Sequence, residues 1–453
     1  MTTPGYLPAA PLQLRAWHWY REAPPALAFG ARGLLGSGRI DDDRLIRAIE
    51  EVVSALPLLT AAFADDGTAL VLPLNGVGGR AQRVQRTDLR GSERPRTWAV
   101  ELLRADRQRP TDLEHDALVR FHVMRLSAHE VVLAVVAHEL ILDARSRYAV
   151  LGAIWQAYFG RFRASQIPDF TTGVEQHRAA IDRIPPSRRD WWARRLHALP
   201  STPDPPDARS WTPHTARLEL AGDRWRAFTE ARGALGDNGS FGLSALLAWL
   251  LRQNPDLGSG RLRVDVDLRQ HLKMGPILGP FTDHVVLDVS PPPTTRPGFA
   301  DIMLRTQAAV LDALVHYLPY YDIVDIAVDS GVASPHRAAA RWDTAVHICR
   351  AAPSSAATRG ERSLADLGLS IELFREADLL GGDVPVASPH WDGTRLDLRV
   401  GESGPDRTVV LLHHLDPAAA ALLPDLAAAV ETAITDPGQP LAPMPTPSNQ
   451  RQT

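Results

Sequence analysis

Seven consecutive apolar residues, Val131 to Ala137, run directly into His138-Glu139-Leu140-Ile141-Leu142-Asp143-Ala144-Arg145-Ser146, and a helical pattern follows from Arg145 to Phe159. An unbroken apolar strand of this kind suits burial on both faces, so it calls for a sheet with helices packed over it. The polar residues gather where that strand turns into a helix.

The rest of the chain alternates in the same α/β manner. Helices are expected at Pro11 to Tyr20, Asp41 to Leu56 and Arg96 to Ala105, and strands at Leu27 to Leu35, Leu118 to Leu126 and Glu130 to Ala137. The Asp run at 41–43 supplies a helix cap. Leu58 to Phe63 and Ala69 to Leu74 read as a hairpin turning at Asp65-Asp66-Gly67. Pro185-Pro186 and the proline-dense stretch from Pro200 to Pro213 are loops. Beyond them come strands at Ala216 to Leu220 and Arg261 to Leu268, and helices at Asp223 to Gly233, Ser240 to Arg252 and Phe299 to Tyr317. A final helix opens at Asp416-Pro417 and runs through Thr435. The expected units are residues 1–168, residues 169–436 and a disordered proline-rich tail, 437–453.

Composition narrows the function classes. The 453 residues carry a net charge of -4, which leaves no basic excess for nucleic acid. A single cysteine, Cys349, excludes an internal disulfide and a multi-cysteine zinc site. The start, MTTPGYLPAAPLQLRAW, lacks the pattern of a secretory signal, and no apolar run approaches the ~20 residues of a membrane helix. A cytoplasmic monomer is the expectation. His138-Glu139 opens an HExxH zinc pattern, but Leu142 stands at the second ligand position. Neither GxxxxGK[ST] nor GxGxxG occurs, so no glycine loop points to a bound nucleotide. His413-His414-Leu415-Asp416 imitates the strand-end cluster, with the aspartate too early; that residue is better read as a cap.

With His138 as its first letter, the strand-end cluster resembles the HHxxxDG signature of condensation domains of nonribosomal peptide synthetases and their chloramphenicol-acetyltransferase relatives. Asp143, Ala144 and Ser146 then fall on the aspartate, the glycine and a frequent serine. Weaker blocks follow in order. Pro11 to Trp17 resembles "LTxxQxxLW", Leu56 to Phe63 "HExLRTxF", and Asp169 to Gln176 with Trp191-Trp192 "YxDFAxWQ" and its following helix. Leu278 to His284 resembles "GxFxNT", and Pro319 to Val324 "PFxxLV". The likeness covers nearly the whole chain. It implies two acetyltransferase-like lobes in a V-shaped pseudo-dimer with an active-site tunnel at their junction.

The departures strike polar positions: Glu139 stands for the second histidine, Ala144 for the glycine, Thr60 for an arginine, and Asp283-His284 for Asn-Thr. The resemblance assigns base or amine-orienting work to the second histidine, so Glu139 and His138 are the catalytic candidates. A free glutamate titrates near ~4.3 against ~6.5 for histidine, and burial would raise it towards a useful range. His138 also reads as a strand-end histidine with a backbone partner. Asp143 and Ser146 are structural in the motif, Asp143 through an ion pair for which Arg341 is one partner by position, and Ser146 as helix cap. Asp283, His284 and Arg341 are the additional site candidates. Whether Arg145 meets substrate is open.

Three functions follow from the resemblance. One is a free-standing acyltransferase that joins a group on the phosphopantetheine arm of an acyl or peptidyl carrier protein, acting in trans, to an amine or alcohol. It would need no bound cofactor and no metal. The second is an inactive module that recruits carrier proteins or tailoring enzymes. The third is a cyclisation or rearrangement of a bound intermediate by Glu139.

Overall fold

The computed structural model describes residues 5–22, 29–64, 69–71, 83–197, 214–236, 241–254, 257, 261–289, 296–331, 344–349, 368–374, 396–402, 407–414 and 417–441. Arg341, Asp416 and the proposed hairpin turn at 65–67 lie outside them.

The first half contains β1 (Tyr6–Pro8), α1 (Pro11–Glu22), β2 (Phe29–Ser37), α2 (Asp42–Ala55), β3 (Ala62–Phe63), β4 (Ala69–Val71), β5 (Val84–Asp88), α3 (Pro95–Gln108), β6 (Val119–Arg125), β7 (Glu130–His138) and α4 (Ala144–Tyr158). Then follow α5 (Phe170–Asp182), α6 (Ser187–His197), β8 (His214–Ala221), α7 (Asp223–Ala234), α8 (Phe241–Gln253), β9 (Arg261–Asp267) and β10 (Thr282–Asp288). The last elements are α9 (Phe299–Val315), α10 (Tyr320–Asp329), β11 (Thr344–Cys349), β12 (Ser370–Phe374), β13 (Leu396–Glu402), β14 (Arg407–His414) and α11 (Leu422–Thr435).

The apolar run is the central strand of a five-stranded sheet, ordered β12-β2-β7-β6-β5. Val131 to Ala137 are all fully buried, as a strand covered on both faces must be. Asp41 caps α2, its side chain accepting from the N–H groups of Asp43 and Arg44. The first arm of the hairpin after it is shorter than expected, since Pro57–Thr60 forms a 3₁₀ turn and Ala62–Phe63 is the part that pairs with β4, whose other edge takes β1.

A six-stranded sheet, β10-β9-β11-β13-β14-β8, forms the second half. Alternation divides its residues cleanly. Leu262, Val264, Val285, Leu287, Leu398, Val400, Val410 and Leu412 lie in the core with residues of α7, α8, α9 and α11. The opposite face carries Arg263, Asp265 and Asp267 on β9, against Thr282 and His284 on β10. The first sheet draws its edge strand, β12, from beyond residue 168: Leu373 and Phe374 pair with Leu34 and Gly33. The two halves are therefore interlocked as well as packed.

Two expectations are corrected. The run Ala418–Thr435 is long and apolar enough, by length and composition, to cross a membrane. Here α11 buries Leu422, Leu426, Val430 and Ala433 in the second core, which accounts for its apolar face without a bilayer. The tail is ordered through Leu441, because Leu441 is buried and its N–H reaches the Pro297 carbonyl, and the Ala300 N–H reaches the Pro437 carbonyl. A chain ending at Asp436 loses that apolar anchor, roughly 2 kcal/mol for one buried leucine. Its melting temperature is expected to lie measurably below that of a chain ending at Leu441. Equal values by calorimetry would show that the anchor contributes nothing.

Candidate functional site

The strand-end loop is a tight turn closed on His138, whose carbonyl accepts the N–H groups of Ile141 (2.9 Å) and Leu142 (3.0 Å). The His138 ring turns inward, 2% exposed, edge-on to Phe29 at 5.0 Å. Its Nδ1 accepts the Leu140 N–H at 3.1 Å, which assigns the ring proton to Nε2. Burial first, and the Arg120 and Arg147 guanidiniums after it, push its pKa down to about 3. The imidazole is therefore uncharged near neutral pH, and its Nδ1 is engaged by the backbone.

Glu139 points the other way, with its side chain 53% exposed. The burial expected of it is absent, because the strand has ended and the turn lifts residue 139 out of the sheet. Arg147 supports the turn from beneath: its Nη1 donates to the Leu142 carbonyl at 2.8 Å and its Nη2 lies 4.0 Å from the Glu139 carboxylate. Room for that guanidinium comes from Gly30 on β2, where a Cβ would lie 2.3 Å from it. From α1, the buried Gln13 donates to the Leu140 carbonyl at 2.5 Å and accepts the Ala10 N–H at 2.7 Å.

Asp143 joins the two halves. Its Oδ1 accepts the Ser146 N–H at 2.8 Å, so Asp143, and not Ser146, caps α4. Its Oδ2 accepts from Arg269 (2.7 Å), the Phe281 N–H (3.0 Å) and Thr282 Oγ1 (3.1 Å). The partner is thus Arg269, supplied by the turn after β9; Arg341 was the position suggested by sequence. Burial alone would raise the Asp143 pKa, but Arg269 and the capping N–H outweigh it and hold it below the usual range. Ser146 Oγ donates to the Gly279 carbonyl at 2.9 Å and accepts the Gly279 N–H at 3.0 Å. Gly279 has φ +145°, and a Cβ there would meet Phe281 at 2.7 Å. Ala144 is simply the first residue of α4, where alanine needs no special backbone.

The replaced Asn-Thr pair divides between the two faces of β10. Asp283 is 1% exposed and accepts from Tyr317 Oη (2.7 Å) and the Tyr320 N–H (3.2 Å); burial raises its pKa despite those bonds. His284 lies on the opposite face, its Nδ1 2.9 Å from Asp265 Oδ1. Arg145 forms an ion pair with Asp267 and remains half exposed. Sequence reasoning missed Arg269, Arg147 and Asp265, since each meets its partner across a turn or a strand pair that no local pattern announces. Gln13 was a letter of a matched block, without a role.

A family model, the Condensation domain, matches residues 5–336. The crystal structure of tallysomycin biosynthesis protein TlmII is 50% identical, with a TM-score of 0.80 over 96% of this chain and 100% of that one. Chondramide synthase cmdD of Chondromyces crocatus is 25% identical over 347 residues, 70% of this chain. The chain spans only 8% and 22% of the curated relatives it matches. The X-domain of teicoplanin biosynthesis, solved in complex with OxyB, is 20% identical with a TM-score of 0.66 over 98% of both chains, a likeness of fold. These likenesses bear out the expected mixed α/β, two-lobed acetyltransferase-like architecture.

Arg269→Met leaves Asp143 buried without its countercharge, and is expected to cost about 3–5 kcal/mol in denaturant unfolding. Adding Asp143→Asn should restore a large part of that loss; additive losses would show that the pair is uncoupled. A second expectation concerns His177 on α5. Its ring is 1% exposed beside Phe281 and neither nitrogen has a hydrogen-bond partner. Burial lowers its pKa to about 4. The unfolded chain takes up this proton near ~6.5, so stability is present above that value and falls as pH drops towards 4, by about 3 kcal/mol for the group. His177→Leu is expected to flatten that part of the stability–pH curve, and an unchanged slope would exclude the assignment.

Proposed function

The chain belongs to the condensation-domain family of nonribosomal peptide natural-product synthesis, and from that premise we propose that it transfers an acyl group from a carrier protein's phosphopantetheine thioester to an amine, or less often an alcohol. The acceptor nitrogen attacks the thioester carbonyl, a C–N bond forms, the C–S bond breaks, and the acceptor's proton leaves with the thiol. No metal or nucleotide enters this chemistry. The carrier and its arm belong to the substrate.

One observation supports this reading above the others: the Asp143–Arg269 network joins the two halves at the strand-end turn, and the residue of that turn on which the resemblance puts the second histidine is an exposed carboxylate. A network that fixes the turn through Gln13, Arg147 and Asp143 makes the geometry of residue 139 reproducible. A carboxylate presented in this way is suited to binding and orienting an ammonium or amine acceptor, a positioning role. His138 shapes the turn and takes no part in proton transfer.

The exposure of Glu139 also favours a second reading, in which the domain recruits carrier proteins or tailoring enzymes and performs no transfer. The teicoplanin X-domain, solved as a complex with OxyB, shares the fold.

Intact-mass analysis with acyl-loaded carrier proteins and a panel of amines separates the two. Acylated amine is expected with the wild-type protein, and Glu139→Gln should raise the acceptor KM about tenfold, the loss of roughly 1.4 kcal/mol of acceptor binding. Carrier binding without product across the panel would favour recruitment.

A further inference from the structure

We propose that the cavity beside the start of α5, where the two halves meet, binds a small apolar amine, and that its occupation tightens their junction. The site is separate from the turn that carries Glu139 and does not depend on acyl transfer.

The cavity has a volume of about 160 Å³ and is partly open to solvent. Its floor is apolar. Leu58 and Leu59 come from the 3₁₀ turn after α2, Phe170 from the start of α5, and Leu278 from the turn before β10. All four are buried, so both halves of the chain contribute to one sealed surface. An apolar cavity of roughly 150 Å³ accepts a benzene ring, which sets the size of the group that fits here. The walls are fixed by packing. The Phe170 ring lies 5.9 Å from that of Phe281, and a Cβ on Gly279 would come within 2.9 Å of it. On the other side, Arg83 donates to the Leu59 and Thr60 carbonyls at 3.3 and 3.4 Å. A site already built in this way loses little affinity to ordering when a ligand enters.

The mouth supplies the charge. Asp169 is exposed at the rim, and it alone among the described lining residues is ionisable. It stands at the N-cap of α5, yet its carboxylate makes no capping bond to the helix, which leaves the oxygens to a ligand. A carboxylate set over an apolar floor favours an ammonium head and disfavours an anionic one. The occupant is thus one ring, or a short branched chain, that carries an amine. Its floor also reaches the bridge between the halves. Leu278 precedes Gly279, whose carbonyl accepts from Arg269 and from Ser146 Oγ, both at 2.9 Å. Phe281, against which Phe170 packs, donates its N–H to Asp143 at 3.0 Å. A group seated on Phe170 and Leu278 therefore bears on the backbone that holds the Asp143–Arg269 pair.

Calorimetric titration of the full chain with phenethylamine, and with phenethyl alcohol as its neutral counterpart, tests the site without any transfer reaction. Saturable binding with a Kd on the order of millimolar is expected for the amine, about threefold tighter than for the alcohol, the scale of an exposed charge pair. Asp169→Asn should bring the amine to the affinity of the alcohol. Ala55→Phe sets a ring into the cavity from the last residue of α2 and should abolish binding of both, with the circular dichroism of the wild type retained. Ala164→Trp closes the mouth from an exposed position and gives the same readout without any demand on the core. With the amine bound, deuterium uptake by the peptide containing Gly279 and Phe281 should slow. Absence of saturable binding to the wild type overturns the proposal, as does binding that survives both filling variants. Equal affinity for amine and alcohol removes the assignment of an amine, and unchanged deuterium uptake removes the link to the junction.

Discussion

The buried bridge between Asp143 and Arg269 is the interaction on which the rest of the arrangement depends. Its two side chains are 7% and 2% exposed, in a position where neither charge could be tolerated alone. The cost of removing both from water is offset only because each is fully engaged. Asp143 accepts from Arg269, a helix N–H, the Phe281 N–H and a hydroxyl, while Arg269 also reaches the Ile277 and Gly279 carbonyls and Ser146. Such a network has one geometry, and that geometry sets the position of α4 of the first lobe against the β9–β10 turn of the second.

From this anchor the strand-end turn inherits its shape. Residues 138–142 cannot drift, since Gln13 holds one carbonyl, Arg147 holds another, and Asp143 closes the end. The turn then forces adjacent residues to opposite fates. His138 continues the alternation of β7 into the core, where a charge would be expensive. Glu139 is the first side chain beyond it and stands in water. A histidine at 139 would stand at the same exposed position as the glutamate, so the substitution changes chemistry without disturbing the fold.

Much of this was legible in the sequence, for reasons that differ by residue. The apolar run of β7, the Asp cap of α2 and the order of the motif blocks are local, and local patterns survive into the structure. Asp143 was readable as structural because a buried carboxylate needs a partner, yet its partner was not: Arg269 lies 126 residues away, placed by a turn of no distinctive composition. The capping role fell to Asp143 because its carboxylate reaches the Ser146 N–H, freeing the serine hydroxyl for Gly279. The pairing of β12 with β2 was hidden for the same reason, since a strand's sequence does not name the sheet that receives it. The tail reads as disordered from composition, but a single leucine is enough to fix its first five residues.

The neighbouring polar face of the second sheet follows the same rule. Alternation along β9 and β10 sets Asp265 opposite His284 and Asp267 opposite Thr282, so each carboxylate meets a partner one strand away or across the lobes, as Asp267 meets Arg145. Thr282 in turn donates to Asp143, which ties that face to the turn carrying Glu139. The Asp143–Arg269 bridge therefore sets where the edge formed by β9 and β10 stands relative to residue 139.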